Sequence, residues 1–197
     1  MYKTTDTFGI ICVTNRALCE EDFLTRIGRL ASAHPAAIVL REKDLNEADY
    51  YALAKQVLTI CEQYHTTCIL HNYADVAIRL AHPALHLPLP LLRELTPSEA
   101  AHFTTLGASC HSASDAAEAQ RLGCTYITAG HIYDTDCKAG LPGRGITFLH
   151  DVCDAVSIPV YAIGGIDTTD QLQLQQLKDA GAAGACIMSR AMRASNI

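Results

Sequence analysis

Residues 124 to 145 read CTYITAGHIYDTDCKAGLPGRG, an apolar run that delivers a histidine into a polar, glycine-rich segment. The run TYITA has the β-branched and aromatic content of a buried strand. Gly130 frees the backbone to turn before His131. Beyond it come Asp134, Thr135, Asp136, Lys138 and Arg144, together with Gly140, Pro142, Gly143 and Gly145, too polar for a core and too rich in glycine for a helix. Strand ends that open into such loops are where a rigid framework places chemistry. Taken alone the stretch is equally a surface loop with a histidine in it, so the fold depends on whether the chain repeats this strand and connection elsewhere.

It does repeat them. Apolar strand-like runs stand at 8–14 (FGIICVT), 36–40 (AAIVL), 67–71 (TCILH), 84–88 (ALHLP), 105–110 (TLGASC), 125–129 (TYITA), 158–163 (IPVYAI) and 183–188 (AGACIM), eight in all. Several are apolar without alternation, as strands of a parallel sheet covered by helices are. Between them lie helical segments. Phe23, Ile27, Leu30 and Ala31 fall on one helical stripe, as do Leu53, Val57, Ile60 and Cys61. Ser112 with Asp115 forms a capping box ahead of a helix that Gly123 stops, and Thr168 with Gln171 opens another that closes near Gly181. Pro83, Pro88, Pro90 and Pro97 predict a short or irregular fourth helix.

Eight strand-helix units in 197 residues close most economically into one compact (β/α)8 TIM barrel, an α/β fold spanning 1–197 as a single domain, with an open doubly wound sheet as the alternative. Only residues 189 to 197 follow the last strand, so the final helix is shortened, and the apolar surface it fails to cover suits a second copy in a homo-oligomer. A hydrophobic content of 49%, a net charge of -6 and a pI near 5.8 fit a domain with a sizeable core and argue against nucleic acid or an anionic membrane as partner. No long apolar run and no signal-like start appear, which predicts a cytoplasmic location. The nine cysteines include no Cys-x-x-Cys pair, and Cys12, Cys61, Cys68 and Cys186 sit inside apolar runs, so buried thiols are expected rather than disulfides or zinc.

In a parallel barrel the residues after each strand form the active face. Those residues are Asn15 and Arg16, Arg41 and Lys43, His71 and Asn72, Ser109 and His111, His131, Gly164 and Gly165, and Ser189 and Arg190. The face is cationic. Gly164 and Gly165, with Ser189 and Arg190 opening the next helix, have the makings of a phosphate site, since bare backbone N–H groups can approach the anion; a plain tight turn is the alternative. Arg41 and Lys43 suit a second anion, with a solvated pair beside Glu42 as the alternative. His131 is the candidate proton carrier, because an unperturbed imidazole changes charge near neutrality, with His111 and Cys110 as secondary ones. Taken singly, His71, His86 and His111 read as structural or ligand-orienting.

The pieces LREK (40–43), HN (71–72), GASCHS (107–112), GHIYDTDCKAGLPGRG (130–145), IPVYAIGGI (158–166) and AGAAGACIMSR (180–190) together resemble the thiamine phosphate synthase and TenI family. The resemblance spans most of the chain, and the GHIYDTDCK segment followed by GRG is more similar to the TenI branch, the thiazole tautomerases. It implies a small phosphorylated thiazole as ligand, no cofactor, His131 as catalytic residue, Arg41, Lys43, Asn72, Ser109, His111, Thr135 and Lys138 as substrate contacts, and Gly164, Gly165, Ser189 and Arg190 around the phosphate. The synthase branch binds a pyrimidine pyrophosphate through magnesium held by acidic residues after the asparagine and after the fourth strand. Here Tyr73 follows Asn72 and PLPLL (88–92) follows the fourth strand, so no metal site is expected at that face. A non-catalytic binder of a thiamine-related phosphate is a third possibility.

Overall fold

The computed structural model describes residues 8–135 and 140–193. Eight parallel strands close a barrel in sequence order: β1 Gly9–Val13, β2 Ala37–Leu40, β3 Cys68–His71, β4 Ala84–Pro88, β5 Thr105–Cys110, β6 Tyr126–Gly130, β7 Val160–Ile163 and β8 Gly184–Ile187, with β8 pairing back onto β1. Each lies within one of the eight apolar runs or overlaps it closely. Nine α-helices stand among the described residues: α1 Phe23–Ser32, α2 Glu47–Gln63, α3 Ala74–Arg79, α4 Leu89–Glu94, α5 Pro97–Ala100, α6 Ala113–Arg121, α7 Gly145–Asp154, α8 Gln171–Asp179 and α9 Ser189–Arg193. No helix among the described residues is long and apolar enough to cross a membrane.

Strand alternation divides the core in two. Ile11, Val13, Ala37, Val39, Ile69, Ala84, Tyr126 and Cys186 fill the barrel lumen, while the larger cluster between sheet and helices includes Ile38, Leu40, Leu70, Leu85 and Ile127 from the opposite strand faces. A Cβ at Gly107 would stand 2.2 Å from the Tyr126 ring, so the glycine makes room for that ring inside the lumen. Cys12, Cys61, Cys68 and Cys186 are buried free thiols, as their apolar surroundings predict.

Three helix expectations need correction. The buried stripe of α2 is Tyr50, Ala54, Val57 and Cys61, so Leu53 and Ile60 flank it rather than define it. The phenol of Tyr50 sets this rotation: buried against the sheet, it donates to Leu40 O at 2.7 Å and accepts from the N–H of His71 at 2.8 Å. Ser112 does cap α6 through the N–H of Asp115, but the Asp115 carboxylate turns to the N–H of His111 at 2.8 Å instead of closing the box. Helix α8 is capped by Asp170 and not by Thr168, because Asp167 first captures Thr169 in a tight turn and delays the helix. The proline-rich stretch yields the short α4 and α5, the latter opened by a Thr96–Glu99 capping box.

The last helix is short, and Ala191 and Met192 on it are buried. Arg26 of α1, 1% exposed, donates from Nε and Nη2 to the carbonyl of Ala191 at 2.7 and 2.6 Å. The large apolar side chains exposed among the described residues, Tyr64, Leu122, Leu141 and Leu172, lie on other elements.

Candidate active site

His131 follows β6 directly, and the chain around it is held from two sides. Toward β7, the N–H of Ile132 donates to Ile163 O at 2.9 Å and that of Tyr133 to Gly164 O at 3.1 Å. Toward the glycine-rich return, the N–H of Arg144 donates to His131 O at 3.0 Å, that of Gly145 to Ile132 O at 2.9 Å, and that of Gly143 to Asp134 Oδ1 at 2.7 Å. A Cβ at Gly143 would come within 2.5 Å of Ile132 O, which explains the glycine. The imidazole is half-buried, and its Nε2 lies 3.2 Å from Leu141 O. A carbonyl only accepts, so Nε2 carries the proton and Nδ1 is the free base of the neutral ring.

The turn after β7 packs against this segment. Gly164 and Gly165 have φ of +101° and +67°. A Cβ on Gly164 would stand 2.3 Å from His131 Cβ, and one on Gly165 2.4 Å from Asp134 O. The two glycines therefore let the turn and the histidine loop touch, a role separate from binding an anion. Arg190 reaches back to Asp167 at 2.6 Å, which ties α9 to the β7 loop and places a carboxylate beside the candidate phosphate residues. Ser189 begins α9.

His111 ends up beside His131. Its Nδ1 donates to Gly130 O at 2.9 Å, which leaves Nε2 as an acceptor on an exposed ring. The neighbouring Cys110 is fully buried and burial raises its thiol to about 12, so it stays protonated and is a poor proton carrier. Ser109 hydrogen-bonds His86 Nε2 at 2.9 Å, and Tyr126 OH meets the other ring nitrogen, Nδ1, at 2.9 Å. Burial lowers His86 to about 4, so its ring is neutral. His71 stacks on it with centroids 5.8 Å apart and planes 17° apart. Burial first, then the charges of His86, Arg41 and Lys43, hold His71 at about 2.

Arg41 is half-buried at the end of β2, its N–H donating to Thr14 Oγ1 at 2.9 Å, and Lys43 is exposed. Glu42, between them, is 3% exposed. Its carboxylate accepts from Thr14 Oγ1 at 2.6 Å and from the N–H of Arg16 at 3.0 Å, and burial raises its pKa. Glu42 thus braces the loops after β1 and β2, a role hidden in sequence because its partners are more than twenty residues away. Asn72 follows β3 directly, and its N–H donates to His86 O at 3.1 Å. It has φ +73°, its Oδ1 is buried without a hydrogen bond, and it borders a cavity of about 270 Å³ beside α4, with Tyr73, Leu91 and Glu94. Thr135 is half-buried next to the histidine loop, and Lys138 lies outside the described residues.

The positions directly after β3 and β4 carry no carboxylate for a magnesium cage, although Glu47, Asp75, Glu94 and Glu99 border the cavity beside Asn72. Tyr73 turns its hydroxyl to the carbonyl of Leu45, and Leu89 is buried in the core. Among the described residues no three His, Cys, Asp or Glu side chains converge to hold a metal.

Comparison with known proteins agrees with the barrel. A family model described as thiamine monophosphate synthase matches residues 10–191. Thiamine-phosphate synthase 2 of Streptococcus pneumoniae is 32% identical over 98% of this chain and 91% of its own length, and the thiamine-phosphate synthase of Syntrophomonas wolfei is 28% identical over 96% and 91%. A solved thiamine phosphate pyrophosphorylase from Pyrococcus furiosus superposes with a TM-score of 0.79 at 24% identity, covering 96% of this chain and 89% of that one, which speaks to fold. With most of its length matched by that model and by relatives of the same description, this chain belongs to the thiamine monophosphate synthase and TenI family.

Proposed function

We propose that this barrel is a cofactor-free isomerase, a thiazole tautomerase that converts the thiazole phosphate tautomer to aromatic carboxythiazole phosphate. The observation that carries this reading is the pairing of a pinned histidine with a missing cage: His131 is fixed from both sides at the mouth, while the positions after β3 and β4 offer Tyr73 and Leu89 where magnesium would need carboxylates. The chemistry needs one proton carrier and an anion clamp. His131 Nδ1 takes a proton from the ring carbon and returns one to the exocyclic carbon, so the composition is unchanged and the ring becomes aromatic. The phosphate is assigned to the backbone around Gly164, Gly165 and Ser189, and Arg41 and Lys43 to the carboxylate.

The second reading is thiamine phosphate synthase, and the names of the relatives favour it. It asks for charge neutralisation on a departing pyrophosphate, which the cavity beside Asn72, bordered by Glu47, Asp75, Glu94 and Glu99, supplies poorly without a metal. One experiment separates the two. The purified protein is given the thiazole tautomer, with and without pyrimidine pyrophosphate and magnesium. Aromatisation without metal, lost about 10²- to 10⁴-fold in His131→Gln, supports the isomerase. Magnesium-dependent formation of thiamine phosphate establishes the synthase, and tight binding with neither product leaves a binding protein.

A further inference from the structure

The proton shuttle and the anion-binding turns leave one buried group in the mouth unused. We propose that His71 is a specificity-determining residue that, side by side with Arg41, reads the carboxylate of the bound ring by donating a hydrogen bond from its imidazole. This rests on the carboxythiazole reading above and names the part of the site that would recognise the acid.

The placement follows from register. Val39 pairs with Ile69 and Leu40 with Leu70, and Ala37, Val39 and Ile69 all face the lumen. Two residues further along each strand direction, Arg41 and His71 continue that lumen face at its carboxyl end. On the other side His71 pairs with His86, and the two rings stack. The two histidines then differ. His86 has partners on both nitrogens, Tyr126 and Ser109. The main chain of His71 is pinned through Tyr50, yet neither of its ring nitrogens has a hydrogen-bond partner among the described residues, although the residue is only 5% exposed. A buried imidazole with an open donor at the carboxyl end of the barrel points to a ligand atom.

The chemistry of that atom follows from the neighbours. Burial, and then His86, Arg41 and Lys43 close by, keep the ring neutral, so it has one N–H to give. A neutral N–H beside a guanidinium makes two adjacent donors directed at one place, which suits the two oxygens of a planar carboxylate. The phosphate is assigned to the opposite side of the mouth, between β7 and β8, so the two anions of one ligand would span the opening.

The test is titration calorimetry with two ligands, aromatic carboxythiazole phosphate and the same thiazole phosphate without the ring carboxylate. The wild type should prefer the carboxylated ligand by at least about 10-fold, and His71→Leu should lose about 10- to 100-fold for that ligand alone, the worth of one hydrogen bond to a charged group. His71→Gln, which keeps a donor, should restore most of the preference, and the wild-type preference should be flat between pH 6 and pH 8 because the ring does not titrate there. Equal weakening of both ligands by His71→Leu, or an unchanged preference, overturns the role. Should His71→Leu not fold, Arg41→Gln gives the same readout, and an unchanged preference in it overturns the paired clamp. A wild type that binds both ligands alike keeps the ligand class but removes the carboxylate reader; one that binds neither removes both. Discrimination without turnover sinks the isomerase and leaves His71 standing.

Discussion

Gly164→Ala tests whether the turn after β7 fixes the position of His131. Gly164 has φ +101°, and a Cβ built on it would lie 2.3 Å from His131 Cβ and 2.8 Å from its Cα. Carbon atoms in contact settle about 3.5 to 4.0 Å apart, so the two residues must part by more than about 1 Å. Neither side yields easily: Ile132 N–H is bonded to Ile163 O, Tyr133 N–H to Gly164 O, and Arg144 N–H to His131 O. The backbone conformation alone costs an L residue about 1 to 3 kcal/mol. A reacting group displaced by about 1 Å loses on the order of 10² in rate. The expected result is therefore a stability loss of a few kcal/mol, read from a urea midpoint, and a fall of about 100-fold in kcat/KM for aromatisation of the tautomer. A stable Gly164→Ala protein that turns over at the wild-type rate would show that the turn does not position the histidine.

Three further outcomes follow from other contacts. Burial holds His86 at about 4 against an ordinary 6.5. As pH falls through 6.5 the unfolded chain takes up a proton that the folded ring refuses, so this histidine's share of the stability, about 3 kcal/mol, is lost on the way to pH 4, on top of the loss from His71, which burial also keeps unprotonated; urea unfolding at the two pH values checks it, and the decline should be about 3 kcal/mol smaller in His86→Gln. Arg26→Ala strands the Ala191 carbonyl and leaves a hole in the core, which should cost about 3 to 5 kcal/mol in denaturant unfolding, and Arg26→Lys should not restore it because only the planar fork brings two donors to one oxygen. Gly28 lies inside α1 with nothing within 4 Å of where an alanine methyl group would stand, so Gly28→Ala should raise the thermal midpoint, by the equivalent of about 0.5 to 1 kcal/mol.

The strands were legible because each is covered on both faces, and such strands leave runs like AAIVL and TCILH that survive without any knowledge of their neighbours. Helix ends were less so. Thr168 and Gln171 satisfy the capping spacing, yet Asp167 competes for the local N–H groups and the helix begins only at Gln171. The mouth was legible one residue at a time, since His131, Arg41 and Gly164 are all marked by following an apolar run. Relations across strands were not: nothing in sequence says that Ser109 and Tyr126 meet on His86, or that Thr14 and Glu42 join over 28 positions. Those depend on barrel register, and register is a property of the closed sheet.

The bond from Arg26 to Ala191 spans 165 positions, and β1 pairs with β8 across a similar distance. On a ribosome this means that β1, GIICV, waits with one edge bare until residues 184 to 191 have been made. An apolar strand with an open edge is a template for joining another chain. Because such distant pairing is slow to form, the interval before closure is when this protein is most exposed to aggregation. A folding catalyst or chaperone would act on it at that stage, and a circular permutant that joins β8 directly to β1 should shorten the wait.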